Sequence, residues 1–241
     1  MIVFDEVIKS YTTGEVVLDQ ISFQINPQEL VVISGPSGSG KTTLLRLMIK
    51  DLEPTSGTIA IDGEILYKLK SKHIPALRRK VGFAFQDYKI IPDKTVGENI
   101  ALVLEIIGLK QAAIEERIRH LLELVGMPSK GNLFPRQLSG GELQRVSIAR
   151  AIAPEPKILL ADEPTGNLDT ETTQGIIKLL QQINQMGTTV VVTSHNLQII
   201  NDLDARHLEL RQGRITKDSK PTPITKNEAE PKKKKKVKVK L

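Results

Sequence analysis

A glycine-rich loop constrains the fold of this 241-residue chain more than any other feature. Its glycines would let backbone N–H groups converge on a phosphate at the start of a helix, where the helix dipole also favours an anion. The loop follows the apolar run Leu30–Ser34, and it ends in a Lys-Thr pair that offers an ammonium to phosphate oxygens and a hydroxyl to Mg²⁺. A chance glycine-rich turn would lack this context, so the sequence predicts a strand, a phosphate-binding loop and a helix in that order. The predicted nucleotide-binding residues here are Gly35, Pro36, Ser37, Gly38, Ser39, Gly40, Lys41, Thr42 and Thr43.

Strand-like runs alternate with helical patterns along much of the chain. Helices are predicted over residues 43–49 and 170–186, and Gly187 ends the second. This alternation predicts an α/β fold with a largely parallel sheet. The dipeptide Asp62-Gly63 predicts a tight turn in an antiparallel hairpin. The predicted strands are residues 2–7, 21–25, 30–34, 58–61, 81–86, 158–161 and 189–193.

A helical subdomain is predicted within the sheet domain, over about residues 88–154, where no strand pattern is present. Residues 111–125 place apolar side chains at helical spacing before Gly126. The whole domain is predicted to cover residues 1–216. Beyond it the sequence loses periodicity and gains proline and lysine, which predicts a disordered tail over residues 217–241.

The net charge of +6 comes from this tail, which holds ten lysines against three acidic residues. Residues 1–216 therefore carry 24 basic and 25 acidic residues, and a nearly neutral domain argues against nucleic acid as a partner. The lysines at 232–240 allow two interpretations. They form a solvated end, or they are attracted to anionic lipid by roughly 1 kcal/mol per lysine near the surface.

Sequence signals for the location of the protein are negative. No apolar run is long enough to cross a membrane, and residues 2–4 lead directly into acidic residues without a signal-peptide pattern. We therefore expect a cytoplasmic protein. The absence of cysteine excludes disulfides and thiolate metal sites.

A second glycine motif, Leu138-Ser139-Gly140-Gly141-Glu142, lies far from the first in sequence. Its Ser and Glu fit a capping box that starts a helix. Capping does not explain two glycines in the first helical turn, because each weakens the helix by roughly 1 kcal/mol relative to alanine. Backbone that must lie close to a phosphate does explain them. The motif is therefore predicted to be both a helix cap and a phosphate contact.

Two carboxylates, Asp162 and Glu163, end a buried strand at the edge where parallel sheets bind ligands. Alone they would suit an acidic turn. Together with the phosphate-binding loop, Asp162 is predicted to hold Mg²⁺ directly or through water, and Glu163 is the candidate base for the attacking water.

Three further side chains have both a structural and a functional interpretation. His195 and Gln86 each follow a strand, as structural residues often do. Alternatively, His195 would contact the γ-phosphate, and Gln86 would contact Mg²⁺ and the attacking water. Tyr11 lies in a polar loop, where it is either simply exposed or stacked on an adenine ring.

These motifs together resemble the ATP-binding subunit of ABC transporters over residues 1 to about 216. The resemblance implies a RecA-like P-loop NTPase core with an antiparallel β subdomain and an inserted α-helical subdomain. It also implies that ATP and Mg²⁺ bind, and that in a head-to-tail homodimer the second glycine motif of one subunit closes over ATP held by the other. In family terms the motifs are the adenine-stacking Tyr11, the Walker A loop Gly35 to Thr42, the Q-loop Gln86, the signature Leu138 to Glu142, the Walker B residues Asp162 and Glu163, the D-loop Asn167-Leu168-Asp169 and the switch His195.

Residues 86–100 are similar to the cell-division subgroup of this family, and in such ATPases this segment contacts the membrane partner. The resemblance implies a peripheral position on the inner face of the cell membrane, bound to an integral membrane subunit that regulates cell-wall hydrolysis. An ATPase of a lipoprotein-release or macrolide-type exporter remains an alternative. A soluble ABC ATPase acting on nucleic acid is disfavoured, because the chain has one cassette, a neutral body and no long heptad repeat.

Overall fold

The computed structural model describes residues 1–12, 14–166, 168–196, 203 and 205–221, which form two β-sheets with helices packed around the larger one. The strands are β1 (Ile2–Ser10), β2 (Val16–Ile25), β3 (Leu30–Ser34), β4 (Ser56–Ile61), β5 (Glu64–Ile65), β6 (Val81–Ala84), β7 (Ile158–Asp162), β8 (Thr189–Ser194), β9 (Arg206–Arg211) and β10 (Arg214–Asp218). The helices are α1 (Lys41–Met48), α2 (Ile74–Arg79), α3 (Val96–Ile106), α4 (Gln111–Leu124), α5 (Gly140–Ile152) and α6 (Thr170–Gln185). None of these helices is long and apolar enough to cross a membrane.

The larger sheet has the strand order β10-β9-β3-β8-β7-β6, and all its pairings are parallel except that of β10 with β9. This confirms the predicted parallel sheet. Both faces are covered: Ile158 and Leu160 of β7 pack into one core with α1, and Leu159 and Ala161 pack into another with α5 and α6. Strands buried on both faces favour apolar side chains at successive positions, which is why β3, β7 and β8 contain the uninterrupted apolar runs 30–33, 158–161 and 190–192.

The smaller sheet is antiparallel, in the order β2-β1-β4-β5, and its Phe4 and Phe23 rings stack with centroids 4.8 Å apart. The predicted hairpin is present, since β4 pairs antiparallel with β5 and both turn residues, Asp62 and Gly63, have positive φ. Two positive φ angles match the turn type that suits the twist of paired strands.

The predicted helical subdomain lies between β6 and β7, and it consists of α3, α4, α5 and their connections. Helix α3 begins with a capping box in which Thr95 and Glu98 satisfy each other's backbone N–H groups. Its apolar side chains pack with those of α4 and α5 into the second core, and this packing fixes the subdomain against the sheet.

The carboxyl-terminal part of the domain extends further than predicted. The predicted boundary after residue 216 falls inside β10, which continues to Asp218. Asp218 accepts hydrogen bonds from the guanidinium of Arg206, a buried side chain of β9 that also pairs with Glu29. Strand β10 is stabilised because Asp218, its last residue, neutralises the buried guanidinium of Arg206. The tail from residue 222 onward, including the lysines at 232–240, lies outside the described residues.

Candidate functional site

The first glycine loop connects the end of β3 to the start of α1, as predicted. A Cβ at Gly35 would lie 2.1 Å from the carbonyl oxygen of Leu210, and one at Gly40 would lie 2.8 Å from a methyl carbon of Leu18. Gly40 is also the N-cap of α1, with φ of 104°. No side chain caps this helix and its first turn holds no acidic residue, so its positive end is left for an anion.

A cleft of about 210 Å³ opens beside this loop. Its lining residues are Ser37, Gly38, Gly40, Lys41, Thr42, Thr43, Gln86 and Glu163. Lys41 is 4% exposed, and its ammonium donates to the carbonyl oxygens of Gly35 and Pro36 at 2.9 and 3.0 Å. The Lys41 Nζ also lies 3.2 Å from Oε1 of Glu163. The cleft thus brings one buried cation, one carboxylate and several hydroxyls to the same edge of the sheet.

The two carboxylates at the end of β7 have different surroundings. Asp162 is buried and accepts a hydrogen bond of 2.7 Å from the Thr193 hydroxyl on the neighbouring strand β8. The same hydroxyl oxygen accepts the backbone N–H of Glu163 at 3.0 Å. Glu163 has φ of 44°, a left-handed conformation that non-glycine residues seldom adopt. Thr193 therefore fixes both carboxylates, and the turn directs Glu163 into the cleft.

His195 lies next to Glu163, because β8 is the parallel neighbour of β7. Its Nδ1 is 2.8 Å from Oε2 of Glu163. The imidazole is 56% exposed, whereas the Glu163 side chain is only 14% exposed. Glu163 thus lies between Lys41 on one side and His195 on the other.

Gln86 and Tyr11 flank this arrangement. Gln86 follows β6 and lines the cleft. Tyr11 is 38% exposed, and its hydroxyl is 3.3 Å from that of Thr43, so the ring lies at the edge of the nucleotide-binding loop. Lys9 Nζ sits 5.4 Å from the centroid of the ring. A partly exposed ring beside the loop can stack on a flat base.

The signature motif lies at the start of α5 and lines no part of this cleft. Its predicted capping box is present: Ser139 accepts the N–H of Glu142 at 3.3 Å, and Glu142 accepts the N–H of Ser139 at 3.0 Å. Leu138 packs on the second core. Lys130 forms an ion pair with Glu142. The hydrogen bond from Lys130 lowers the pKa of Glu142, and the Ser139 backbone adds to this effect.

The two signature glycines have packing roles that the sequence did not reveal. A Cβ at Gly141 would lie 2.2 Å from Cγ2 of Thr172 in α6, a distance that real side chains do not reach. A Cβ at Gly140 would lie 3.3 Å from the Tyr88 hydroxyl. The approach to a phosphate is therefore not the only reason for this glycine pair, because Gly141 is also needed where α5 meets α6.

Two of the three D-loop residues are described, and Asn167 lies outside the described residues. Asp169 is the N-cap of α6, accepting the Thr172 N–H at 2.8 Å and the Thr172 hydroxyl at 2.6 Å. Leu168 packs on the second core. The D-loop thus ends in the cap of the helix that contacts the signature.

Three polar side chains outside the predicted site organise the segment after Gln86. Arg150 of α5 donates to the carbonyl oxygens of Lys89 and Tyr88 at 2.7 and 2.9 Å, and burial lowers the pKa of its guanidinium. Ser147 also donates to the Tyr88 carbonyl, at 3.3 Å. Fully buried Asn99 bonds both backbone groups of Ile91. In the sequence, the only indication of these hydrogen bonds was the presence of three polar residues on helical segments.

The donors that line the cleft, together with buried Asp162 next to Glu163, suit ATP as substrate and Mg²⁺ as cofactor. Lys41 and the uncapped start of α1 offer positive charge for phosphates. Thr42, Gln86 and Asp162 provide the hard oxygen donors that Mg²⁺ prefers. Among the described residues, no three His, Cys, Asp or Glu side chains form a metal-binding group. A hydroxyl, an amide oxygen and one carboxylate leave coordination positions for phosphate oxygens and water, so these residues fit a magnesium ion that is shared with substrate phosphates.

Comparisons with known proteins agree with this geometry. Residues 18–166 match the ABC transporter family model. The chain is 45% identical over 213 residues to the cell division ATP-binding protein FtsE of Streptococcus pneumoniae serotype 2, covering 88% of this chain and 93% of that protein. It is 45% identical over 218 residues to FtsE of Bacillus subtilis, covering 90% and 96%. For FtsE of Escherichia coli K12 the identity is 41% over 215 residues, covering 89% and 97%.

Solved structures of ATP-binding cassettes have the same fold as this chain. A dimeric structure of the ATP-binding cassette MJ0796, in a post-hydrolysis state with ADP and Pi, superposes with a TM-score of 0.84 at 35% identity, covering 93% of this chain and all of that one. Another dimeric structure of the same cassette superposes with a TM-score of 0.84 at 36% identity, covering 93% and 100%. The predicted RecA-like P-loop fold is confirmed.

Proposed function

The chain belongs to the ABC transporter family as an ATP-hydrolysing subunit, and from this premise we propose that it is the FtsE-like ATPase of a cell-division complex. The observation that carries the proposal is the 41–45% identity to FtsE proteins over about nine-tenths of the chain. The site supports hydrolysis, because Glu163 contacts both Lys41 and His195 at the mouth of the phosphate loop.

The cleft residues divide the work of hydrolysis between binding and water activation. Lys41 and the start of α1 bind the phosphates, and Tyr11 stacks on the base. Thr42, Gln86 and Asp162 would hold Mg²⁺, which when bound would neutralise phosphate charge. Glu163 accepts a proton from the attacking water and orients it, and His195 positions Glu163 through their 2.8 Å contact.

We further propose that the chain acts as a head-to-tail homodimer. The signature motif lines no part of its own cleft, so it cannot complete the site of its own chain. The start of α5, with Ser139 at its cap and the charge of Glu142 paired with Lys130, has backbone N–H groups that a second copy could place over the phosphates. The MJ0796 cassette, which shares the fold, has been solved as a dimer.

An FtsX-like integral membrane subunit is the proposed partner, contacted through about residues 86–100. This segment is held to α5 by Arg150 and within itself by Asn99. A force applied to it would therefore reach the signature helix. In this proposal the ATPase sits at the inner face of the cell membrane and drives the regulation of cell-wall hydrolysis. The seven lysines within residues 232–240 would add attraction to anionic lipid, which salt would screen.

Co-purification from native membranes tests the partner. An affinity-tagged chain should capture a four-span FtsX-like protein. Capture of a lipoprotein-release or macrolide-type permease would replace the cell-division role with export. Capture of ribosomes or DNA without any permease would overturn the membrane assignment.

A further inference from the structure

A basic groove lies at the opposite end of the sheet from the nucleotide cleft. It has a volume of about 440 Å³ and is lined by Gly63, Glu64, Ile65, Lys68, Leu69, Lys70, Lys72 and His73. Its position is fixed by Lys80 and Lys157, which precede β6 and β7 and both pair with Asp62 of the β4–β5 turn. The nucleotide cleft lies at the other ends of these strands, so a partner could occupy the groove without blocking ATP.

Positive charge is concentrated in the segment that contributes most of the groove lining, in which Lys68, Lys70 and Lys72 line the groove itself and Lys80 is paired with Asp62 and Glu64. Residues 67–80 hold six lysines and arginines and no acidic residue. The rest of residues 1–216 then carries 18 basic against 25 acidic residues, a net charge of −7. A strongly basic surface on an otherwise acidic domain creates a local field that attracts anions.

The lysines of the groove have no carboxylate partners in the described part of the chain. Lys68, Lys70 and Lys72 are exposed and form no ion pair there. The one acidic residue in the lining, Glu64, is neutralised by Lys80 at 2.6 Å. That hydrogen bond raises the pKa of Lys80. The positive charge of the groove is therefore left for a partner.

The groove also has an apolar floor on a fixed backbone. Ile65 is 8% exposed, and Leu69 is partly buried against the main core. The ammonium of Lys50 fixes the backbone of residues 66–69, because it donates to the carbonyl oxygens of Leu66 and Leu69 at 2.5 and 3.1 Å. A flat lipid surface would touch the lysine rim and miss this floor.

We propose that this groove binds an acidic peptide segment of a partner protein, with carboxylates on the lysine rim and an apolar side chain on the floor. The volume is in the range of ligand-binding pockets. Nucleic acid is a poorer fit, because its phosphates could pair with the lysine rim but it offers no aliphatic side chain to the floor formed by Ile65 and Leu69. This proposal does not depend on the identity of the membrane subunit.

Fluorescence anisotropy with a fluorescein-labelled, glutamate-rich peptide that carries leucines tests the groove on the full chain. The triple variant Lys68→Glu, Lys70→Glu and Lys72→Glu should bind at least about 10-fold more weakly at low salt, because attraction becomes repulsion. The matched control makes the same charge change in the tail, with Lys233→Glu, Lys234→Glu and Lys235→Glu, and should keep groove binding within about twofold. Replacing the three groove lysines by arginine should preserve binding.

Several outcomes would overturn the proposal. Equal losses in the groove and tail variants would mean that only net charge matters. Equal affinity for a peptide with serine in place of leucine would remove the role of the apolar floor. A groove-dependent affinity for phosphatidylglycerol vesicles or duplex DNA that exceeds the affinity for the peptide would assign the surface to lipid or nucleic acid. Basal ATP hydrolysis, which should be the same in all variants, reports that the chain is folded.

Discussion

The phosphate loop and the signature motif are both rich in glycine, but their glycines serve different needs. In the phosphate loop, Gly38 has φ of 76° with open space around it, and Gly40 lets the start of α1 approach Leu18. In the signature, Gly141 lets α5 pack against Thr172 of the same chain. The first motif shapes a cleft whose lining comes from its own chain. The second shapes a helix contact, and in the proposed homodimer its helix terminus would lie over the ATP of the other copy.

Replacing Glu163 should have the largest effect on turnover, because Glu163 lines the nucleotide cleft whereas the signature does not. Glu163→Gln should lower turnover by about 10²–10⁴-fold, the usual contribution of a general base, and leave ATP binding intact. Glu171→Gln, at an exposed position in the first turn of α6, is the control and should keep normal turnover. Steady-state phosphate release and binding of a fluorescent ATP analogue measure the two effects. Equal turnover of Glu163→Gln and the parent would remove Glu163 from catalysis.

Arg150 tests whether the segment after Gln86 is held to α5, the helix that begins with the signature. Arg150→Ala removes the hydrogen bonds to the carbonyls of Tyr88 and Lys89, each worth about 1.5–3 kcal/mol when the donor is charged. Amide hydrogen exchange after Gln86 should therefore accelerate, while exchange in the phosphate loop stays unchanged. Arg150→Lys should restore part of the protection, and Arg119→Ala should change nothing. If amide exchange accelerated uniformly over the whole chain, the variant would be generally destabilised, and a specific role of Arg150 in holding the segment after Gln86 would be ruled out.

Gly141 tests the packing explanation of the signature. Gly141→Ala should lower the free energy of unfolding by about 1–3 kcal/mol, because the new methyl group overlaps Thr172 Cγ2. Adding Thr172→Ser removes that methyl group but keeps the hydroxyl that bonds Asp169, and it should restore stability. Gly140→Ala, whose Cβ has more space, should cost less in denaturant unfolding. Equal costs at both glycines, without rescue, would rule out the contact with Thr172.

Glu142 tests the signature cap with the smallest expected effect. Its pKa is lowered in the folded state, so its charged form stabilises the fold above the unfolded pKa near 4.5, and this contribution is lost as pH falls through the folded value. Glu142→Gln should cost about 0.3–1 kcal/mol at neutral pH and less in high salt. The difference between parent and variant should shrink below pH 4.5 in urea unfolding. A difference that is independent of pH would show that charge is not involved.

Prediction from neighbouring residues was sufficient where the local backbone geometry depends on those residues alone. The order of strand, loop and helix around residues 30–48, the Ser139–Glu142 capping box and the Asp62-Gly63 turn all depend on neighbouring residues, and the sequence predicted each one. Strand β9 was missed because its buried positions include Arg206, whereas a strand pattern is recognised by apolar residues.

The sequence by itself determined the nucleotide motif, the parallel sheet and the edge at which the carboxylates lie, because these follow from periodicity and from turn and cap chemistry. Only the tertiary structure decided which distant groups meet. Strand register places Thr193 beside Asp162, helix packing makes Gly141 necessary, and ion pairing neutralises Lys80 while Lys68, Lys70 and Lys72 stay exposed. The physical reason is that these energies depend on distances between side chains far apart in sequence, which no local pattern contains.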